Sequence, residues 1–369
     1  PPSGIRKFFE LAEEMDDIIS LGVGEPDFAA PWAAREAAIT SLEQGKTSYT
    51  ANRGKRELRD LIAAHVADRY DLGYDPDEEI LVTAGASEAV DLAFRALVDP
   101  GDTVAVAQPS YVSYVPGAIF AGAEICPVVT RAADDFKLTR ERLAAAGADE
   151  ADLLVYSYPN NPTGATMTRA ELEPVADFAR EHDLLVVADE IYAALTYEHD
   201  HTSIATLPGM RERTLVVNGF SKAYAMTGLR LGYVMGPPAG VTAMNRIHQY
   251  TMLSAPTTAQ HAAIEALQRC DDDVVEMRAQ YDRRRKFVLS RFEEMGIDCF
   301  PASGAFYAFP RCPTDDADAF AEDLLHAEGV AVVPGSAFGD AGANHLRVSY
   351  ATGLGELKEA MARIERFLG

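Results

Sequence analysis

One lysine stands apart in this sequence because of its surroundings. Lys222, in the segment NGFSKAYAMTGLRLGY (218–233), is the only lysine between Lys137 and Lys286, and it follows an apolar run typical of a strand. A lysine with few charges beside it can lose its hydration, and its uncharged amine then becomes a nucleophile toward an aldehyde. The sequence therefore indicates covalent amine chemistry, with a solvated loop lysine as the alternative interpretation.

Two further motifs place polar side chains where apolar runs end. The segment SYPNNPTG (157–164) carries two amides and a Pro-Thr-Gly turn, and the segment ADEIY (188–192) carries the Asp189 carboxylate and the Tyr192 phenol. Each motif alone is compatible with a routine turn or a capped strand. Both motifs in one chain, followed by the Lys222 segment, indicate a single site.

The elements that must position these side chains follow an alternating pattern. From about residue 36 to 265, helical patterns alternate with short apolar runs, which is typical of βαβ units and a mostly parallel sheet. The carboxyl ends of such strands form the ligand-binding edge of open α/β sheets. The predicted strands are Ile80–Thr83, Thr103–Ala107, Glu124–Val128, Leu153–Ser157, Leu184–Ala188 and Thr214–Asn218.

The pattern changes after about residue 270. A long charged helical segment (271–296) precedes short strand-like runs in GAFYAFP, GVAVVPG and NHLRVSY. We predict a large domain over residues 36–268 and a smaller α+β domain formed by residues 1–35 and 269–369. The fold class is α/β.

Composition excludes some classes of function. The net charge of -24 argues against a nucleic-acid partner, which requires a basic face. The acid excess and the presence of only seven lysines predict a halophilic surface, with an ordinary acidic enzyme as the alternative. Four cysteines without a C-x-x-C pair, no apolar run of membrane-spanning length and no signal-peptide pattern predict a cytoplasmic protein.

These motifs together identify a resemblance to a known family. From Ser20 to about Thr352 the chain resembles the class I/II aminotransferases among the fold type I pyridoxal-phosphate enzymes. It is similar to archaeal and bacterial aspartate and aromatic aminotransferases. The resemblance implies pyridoxal 5'-phosphate as cofactor and a ping-pong transfer of an amino group from an L-amino acid to a 2-oxo acid such as 2-oxoglutarate.

The resemblance implies roles for the central residues. Lys222 would hold the cofactor as a Schiff base and then shuttle a proton, while Asp189 would pair with the pyridine nitrogen and keep it protonated. Tyr192 and Asn161 would hydrogen-bond the 3'-oxygen of the ring. Tyr111 corresponds to the aromatic residue that stacks on the ring.

The cofactor phosphate would be bound by a second group of residues. Gly85, Ala86 and Ser87, between a strand and a helix, would offer backbone N–H groups and a hydroxyl at a helix N-terminus. Ser221 would add another hydroxyl, and Arg230 a bidentate cation.

One predicted phosphate contact crosses between subunits. Tyr49 corresponds to a tyrosine that reaches the phosphate of the neighbouring subunit, which implies a homodimer with a shared active site.

The substrate carboxylate would be bound by Arg347, in NHLRVSYAT, with a backbone N–H of Gly24 and with Asn161 nearby. Ser87 departs from the pattern, because some bacterial aspartate enzymes of the family carry a lysine there for the distal carboxylate. The segment 111–114 and Phe28 would instead line an apolar pocket for an aromatic side chain.

Other functions stay open at this point. A pyridoxal-phosphate β-lyase acting on cysteine conjugates and an alanine or 2-aminoadipate aminotransferase share the same motifs. A non-enzymatic regulatory relative is disfavoured because the reactive residues are all present. His199 and His201, in YEHDHTS, are interpreted as part of a solvated loop rather than a metal site.

Overall fold

A computed structural model describes residues 17–369 of the chain. A seven-stranded sheet forms its centre, and its strands lie within one residue of the predicted bounds wherever a strand was predicted. The strands are β2 (Ile80–Thr83), β3 (Thr103–Gln108), β4 (Glu124–Val129), β5 (Leu153–Ser157), β6 (Leu185–Asp189), β7 (Thr214–Gly219) and β8 (Gly232–Met235).

The strand order is β2-β8-β7-β6-β5-β3-β4. All neighbours pair in parallel except β8, which runs antiparallel to both β7 and β2. The predicted mostly parallel α/β sheet is thereby confirmed. Strand β8 was not predicted, because a four-residue run that begins with glycine gives too short an apolar signal.

Alternating side chains along the strands build a separate core on each face of the sheet. In β3, Ala105 and Ala107 pack into one core, whereas Val104 and Val106 pack into the other. Two-sided burial explains why these strands are continuous apolar runs in the sequence.

The helices that cover the sheet and form the rest of the chain are α1 (Trp32–Glu43), α2 (Arg56–Tyr70), α3 (Ala86–Leu97), α4 (Tyr114–Ala121), α5 (Arg140–Ala146), α6 (Arg169–Glu181), α7 (Pro238–Thr251), α8 (Thr257–Arg269), α9 (Asp271–Glu294), α10 (Ala317–Glu328) and α11 (Leu354–Leu368). Within residues 17–369, none of the helices combines the length and apolar character needed to cross a membrane.

Two small sheets lie outside the central one. Strand β1 (Ile19–Ser20) pairs in parallel with β10 (Val330–Ala331), so the start of the described chain joins its C-terminal third. The other sheet has the order β11-β12-β9 and is antiparallel. Its strands are β9 (Tyr307–Ala308), β11 (Val333–Pro334) and β12 (Leu346–Ser349). The boundaries proposed for the two domains stay predictions, and residues 1–16 of the smaller one lie outside the described chain.

Candidate active site

A cavity of about 390 Å³ opens at the carboxyl ends of β2, β5, β6 and β7. Because β8 is antiparallel to both of its neighbours, β2 and β7 point the same way and end at the same edge of the sheet. Eleven of the residues predicted for the site line this cavity. They are Gly24, Ala86, Ser87, Tyr111, Asn161, Asp189, Tyr192, Ser221, Lys222, Arg230 and Arg347.

Lys222 projects into the cavity from the turn that follows β7. Its Nζ donates a hydrogen bond to the carbonyl oxygen of Gly24 at 2.6 Å and lies 5.7 Å from the centre of the Tyr192 ring. Burial lowers the pKa of the Lys222 ammonium to about 8; nearby Glu25 opposes this shift and Arg347 adds to it. About a tenth of the amine is therefore uncharged and nucleophilic at pH 7, far more than for a solvated lysine.

Asp189 ends β6 and is 5% exposed. Its Oδ2 accepts a hydrogen bond from the Tyr114 hydroxyl at 2.8 Å, and its Oδ1 accepts one from the backbone N–H of Ile191 at 3.1 Å. Burial raises the pKa of Asp189 to about 6, although both hydrogen bonds favour the ionised form. The site thus holds a buried carboxylate able to pair with a cationic N–H group of a ligand.

Two phenols meet beside Lys222. The hydroxyl oxygens of Tyr192 and Tyr307 are 2.7 Å apart, and burial raises the pKa of both phenols. The Tyr307 ring also lies beneath Arg347, whose guanidinium carbon is 4.7 Å from the ring centre. Tyr307 therefore links the phenol predicted to bind the ring oxygen with the predicted carboxylate-binding cation.

Arg347 lies on β12 and is 3% exposed. Its Nη1 donates to Asn161 Oδ1 at 3.0 Å, and its Nη2 donates to the carbonyl oxygen of Gly22. Its Nε is buried and has no hydrogen-bond partner among residues 17–369. Burial lowers the pKa of the guanidinium, but arginine is not deprotonated in proteins, so the side chain is a fixed cation with an unpaired donor. Asp189, Tyr192 and Arg347 are called the inner end of the cavity below.

The opposite side, called the outer end, is formed by Ala86, Ser87, Ser221 and Arg230. The N–H groups of Ala86 and Ser87 begin α3 and find no acceptor in the described part of the chain. Such unpaired donors at a helix N-terminus, beside an arginine, form a site for an anion such as phosphate.

The packing beneath the outer end is tight. Gly85 has a φ of 88°, and a Cβ there would lie 2.6 Å from Arg230 Nη2. A Cβ on Gly232 would lie 2.5 Å from the Ala86 nitrogen. Gly85 is thus placed directly under the arginine, although it does not line the cavity, and both positions require glycine.

Tyr49 is a predicted site residue that lies outside the cavity of its own chain. Its side chain is 78% exposed, and it does not line the cavity of its own chain. The segment around it is held in place, because Ser48 accepts a hydrogen bond from Thr257 and Asn52 donates one to the Leu253 carbonyl.

Two residues lie elsewhere than the sequence suggested, and a third has an additional contact. Tyr114 lines the cavity as expected, and its hydroxyl also donates to Asp189. Phe28 packs edge-on against Tyr281 rather than in the cavity. The solvated-loop interpretation is wrong for His201, whose nearly buried side chain lies 2.9 Å from a Glu190 carboxylate oxygen.

The contacts of Tyr307 with Tyr192 and with Arg347 had no usable signal in the sequence. Tyr307 belongs to the run GAFYAFP, which gave only a strand prediction, and its contacts depend on how β9 meets the central sheet. A tyrosine in a strand-like run is usually ordinary core, so the residue type alone could not have identified it.

Comparisons with known proteins place the chain in a family. The family model described as aminotransferase class I and II matches residues 16–364. The chain is 43% identical to an aspartate aminotransferase of Pyrococcus abyssi and 41% identical to aromatic-amino-acid aminotransferase 2 of Thermococcus litoralis, each match covering 100% of this chain and 96% of the relative. The crystal structure of an aromatic aminotransferase from Pyrococcus horikoshii superposes with a TM-score of 0.93 at 43% identity, covering 99% of this chain and 98% of that one.

Proposed function

This chain belongs to the class I and II aminotransferase family and is an enzyme of amino-acid transamination, and we propose that it uses pyridoxal 5'-phosphate held by Lys222. The proposed reaction is a ping-pong transfer of the amino group of an aromatic L-amino acid or aspartate to a 2-oxo acid such as 2-oxoglutarate. The observation that carries the proposal is the meeting of Lys222, Asp189 and Arg347 in one cavity.

The residues of the cavity fit the proposed cofactor. Asp189 is a buried carboxylate with no cation within ion-pair distance among the described residues, which suits a pyridinium N–H. The unpaired N–H groups of Ala86 and Ser87 beside Arg230 suit a phosphate. The half-buried Lys222 amine lies between these two sites and suits an aldehyde.

When bound, pyridoxal phosphate supplies a carbonyl that links to amines and a ring that accepts electrons. Asp189 would hold a proton on the ring nitrogen and so increase that capacity. Arg347 would bind the substrate carboxylate and orient the α-carbon toward Lys222. Once the substrate amine had replaced it on the cofactor carbonyl carbon, the free Lys222 amine would accept the α-carbon proton as a general base and return it to that carbonyl carbon as a general acid.

Tyr192 contributes a phenol beside the proposed ring oxygen. In the proposal Tyr307 donates the hydrogen bond between the two hydroxyls, which leaves the single Tyr192 proton for the ring oxygen, because each hydroxyl donates one proton only. We propose that Asn161 also hydrogen-bonds the ring oxygen. Because its amide oxygen accepts from Arg347, it would connect the cofactor to the residue that binds the substrate carboxylate. Tyr111 lines the cavity at a position suited to stacking on the ring.

The substrate side chain is the finer part of the proposal. Lys222, Arg230 and Arg347 are the cations that line the described cavity, and each has a role in the proposal already. A second carboxylate on the substrate would need a further cation, whereas Val90 and Tyr111 offer apolar surface. This favours aromatic donors over aspartate within a single chain.

A homodimer is proposed from the exposed apolar side chains. Trp32, Leu42, Tyr49 and Tyr250 are all more than half exposed in the single chain. We propose that they belong to one contact surface, since contiguous exposed apolar surface marks protein interfaces. Light scattering in high salt would test the proposal, and a monomer would reject the shared active site.

The setting of the enzyme is proposed from its charge and its cysteines. The net charge of -24 supports a halophilic protein, and the four free cysteines support a reducing cytoplasm. Activity that rises with salt into the molar range would support the first proposal.

We also propose that the chain has two domains. The large domain is formed by residues 36–268 and the small one by residues 1–35 together with residues 269–369.

The absorption spectrum of the purified protein with donor amino acids tests the proposed function. We expect a band near the visible edge that is lost on adding a donor and restored by 2-oxoglutarate, with phenylalanine and tyrosine more effective than alanine. A protein that shows no such band even with added cofactor would reject the proposal. Steady release of ammonia and pyruvate from a cysteine conjugate would identify the β-lyase instead.

A further inference from the structure

A fully buried histidine connects α7 to the start of α3. His248 is 0% exposed, and its Nδ1 donates to Glu88 Oε1 at 2.6 Å. The other carboxylate oxygen of Glu88 accepts the backbone N–H of Ala84, the residue immediately before Gly85. A continuous chain of hydrogen bonds therefore runs from helix α7 to the turn under the outer end of the cavity.

Neither His248 nor Glu88 lines the cavity, so neither would touch a ligand there. The Glu88 side chain is 11% exposed, and the Nε2 atom of His248 has no partner among the described residues. The hydrogen bond to Glu88 is therefore the polar contact that stabilises a histidine at this buried position. An apolar residue would pack there without leaving a buried nitrogen unpaired.

The charge of Glu88 has two opposed effects at this position. It is the third residue of α3, and the same helix end carries the Ala86 and Ser87 donors that we assign to phosphate. The helix dipole stabilises a carboxylate in the first turn, but that carboxylate also repels an anion bound at the same end. In the role inferred below, the hydrogen bond from Ala84 to Glu88 favours phosphate binding by more than this repulsion disfavours it.

The turn that Glu88 holds leaves little room for displacement. Gly85 lies under the Arg230 guanidinium, and Gly232 lies against the Ala86 nitrogen, both closer than any Cβ would allow. The Ala84 N–H belongs to the peptide between Thr83 and Ala84, and the carbonyl oxygen of this peptide accepts a hydrogen bond from the Gly85 N–H. A rotation of this peptide would therefore displace Gly85 against Arg230 and redirect the N–H groups of Ala86 and Ser87. The direction of these donors thus depends on what fixes the Ala84 N–H.

We infer that His248 and Glu88 are positioning residues for the outer end. His248 fixes the carboxylate of Glu88, and Glu88 holds the Ala84 N–H, so that the donors at the start of α3 point toward the ligand phosphate. This inference rests on the proposed function, because it takes pyridoxal phosphate as the ligand.

A purely structural role would be the alternative, since α7 also packs against α3. The two readings differ in which ligands they affect. Loss of a packing contact lowers stability and weakens every ligand alike. Loss of a positioning contact weakens pyridoxal phosphate but leaves pyridoxal, which has the same aldehyde and ring without the phosphate, nearly unchanged.

The test titrates the apoprotein with pyridoxal phosphate and, separately, with pyridoxal, and follows the absorbance of each bound form. We expect His248→Leu and Glu88→Ala each to weaken pyridoxal phosphate roughly tenfold, which is the effect of losing about one well-directed hydrogen bond to a charged group such as the phosphate. Binding of pyridoxal should change less than about twofold in both. Glu88→Ala keeps the test valid if His248→Leu does not fold.

Conservative variants provide the matched controls. In His248→Asn the amide can donate from nearly the same place as Nδ1, and in Glu88→Gln the amide oxygen can still accept from Ala84. Both should bind pyridoxal phosphate within about threefold of the wild type. Met244→Ala, a buried change on the same helix, should lower the melting temperature without changing the ratio of the two affinities.

Equal weakening of both ligands, or no weakening of either, would overturn the positioning role while leaving the proposed function intact. A wild-type apoprotein that binds neither pyridoxal phosphate nor pyridoxal would instead overturn the proposed function, and the inference with it.

Discussion

The inner and outer ends of the cavity are built in different ways. At the inner end, Asp189, Tyr192 and Arg347 are buried, and each is held by hydrogen bonds within the same chain. At the outer end, Ser87 and Arg230 are exposed in the single chain. The inner end is complete in one chain, whereas the outer end depends on backbone donors and, as we propose, on Tyr49 of a second copy.

This difference has an energetic consequence. Burial at the inner end shifts the pKa values of Asp189 and of the neighbouring Lys222 away from their ordinary values, so the folded chain maintains these groups at a cost in stability. Contacts at the outer end are shared among several donors and are partly solvated. We therefore expect single changes to have large effects at the inner end and small ones at the outer end.

The largest effect is expected at Arg347. Arg347→Leu should lower kcat/KM by roughly a thousandfold, because removing one partner of a buried charge pair costs about 2–5 kcal/mol. Arg347→Lys is the control, since it keeps the charge but not the bidentate geometry. Its kcat/KM should lie between those of the wild type and of Arg347→Leu. Steady-state kinetics of the donor half-reaction measure the effect, and a change of less than about threefold would contradict the inner-end assignment.

The second prediction concerns the stability cost of Asp189. A carboxyl group whose pKa is higher in the folded than in the unfolded state binds its proton more tightly when the chain is folded. The free energy of unfolding therefore falls as the pH rises from the unfolded-state pKa to the folded-state pKa. With a folded pKa of about 6, the cost is fully present above pH 6.

Asp189→Asn should therefore stabilise the apoprotein by about 3 kcal/mol at pH 8 and by about half as much at pH 5. Urea unfolding at constant salt measures both values. Arg230→Gln at the outer end is the matched control, and we expect it to change the unfolding free energy by less than about 0.5 kcal/mol. An Asp189→Asn variant with unchanged or lower stability at pH 8 would be inconsistent with the raised pKa.

The third prediction concerns the reactivity of Lys222. The rate at which pyridoxal phosphate attaches to the apoprotein should rise with pH to a midpoint near 8, the pKa that burial gives the amine. At pH 7 this makes the amine about two hundredfold more reactive than a solvated lysine, judged from the uncharged fraction alone. Stopped-flow absorbance measures the profile, and a midpoint above pH 10 would show that the amine is not desolvated.

The smallest effect is expected at Tyr49. Tyr49→Phe should weaken pyridoxal phosphate binding about threefold, which corresponds to one hydrogen bond of about 0.7 kcal/mol. Tyr250→Phe is a suitable control because this tyrosine is also highly exposed and has no proposed contact with the cofactor. Equal affinities in both variants would remove Tyr49 from the site.

The strands and the residues at their ends were predictable from the sequence, for a physical reason. Strands buried on both faces are continuous apolar runs, and they end where polar side chains such as Asp189 begin. Lys222 was recognisable because charged neighbours are scarce around it. In a parallel sheet, the residues that follow successive strands must meet at one edge, so the order of the motifs already implied the cavity.

Contacts between distant segments were not predictable in the same way. The hydrogen bond from Tyr114 to Asp189 joins residues 75 positions apart, and the one from His248 to Glu88 joins residues 160 positions apart. Neither pair has a local pattern that distinguishes it from ordinary core residues. Such contacts depend on which helix packs on which strand, which a single sequence does not specify.

The most direct test of the central assignment is chemical trapping at Lys222. The protein is reduced with borohydride in the presence of pyridoxal phosphate and digested, and its peptides are weighed by mass spectrometry. Of the seven lysines, we predict that only Lys222 carries the cofactor mass and that Lys222→Ala carries none. Stoichiometric cofactor on another lysine, or an unlabelled Lys222 in a protein that transaminates, would contradict the account.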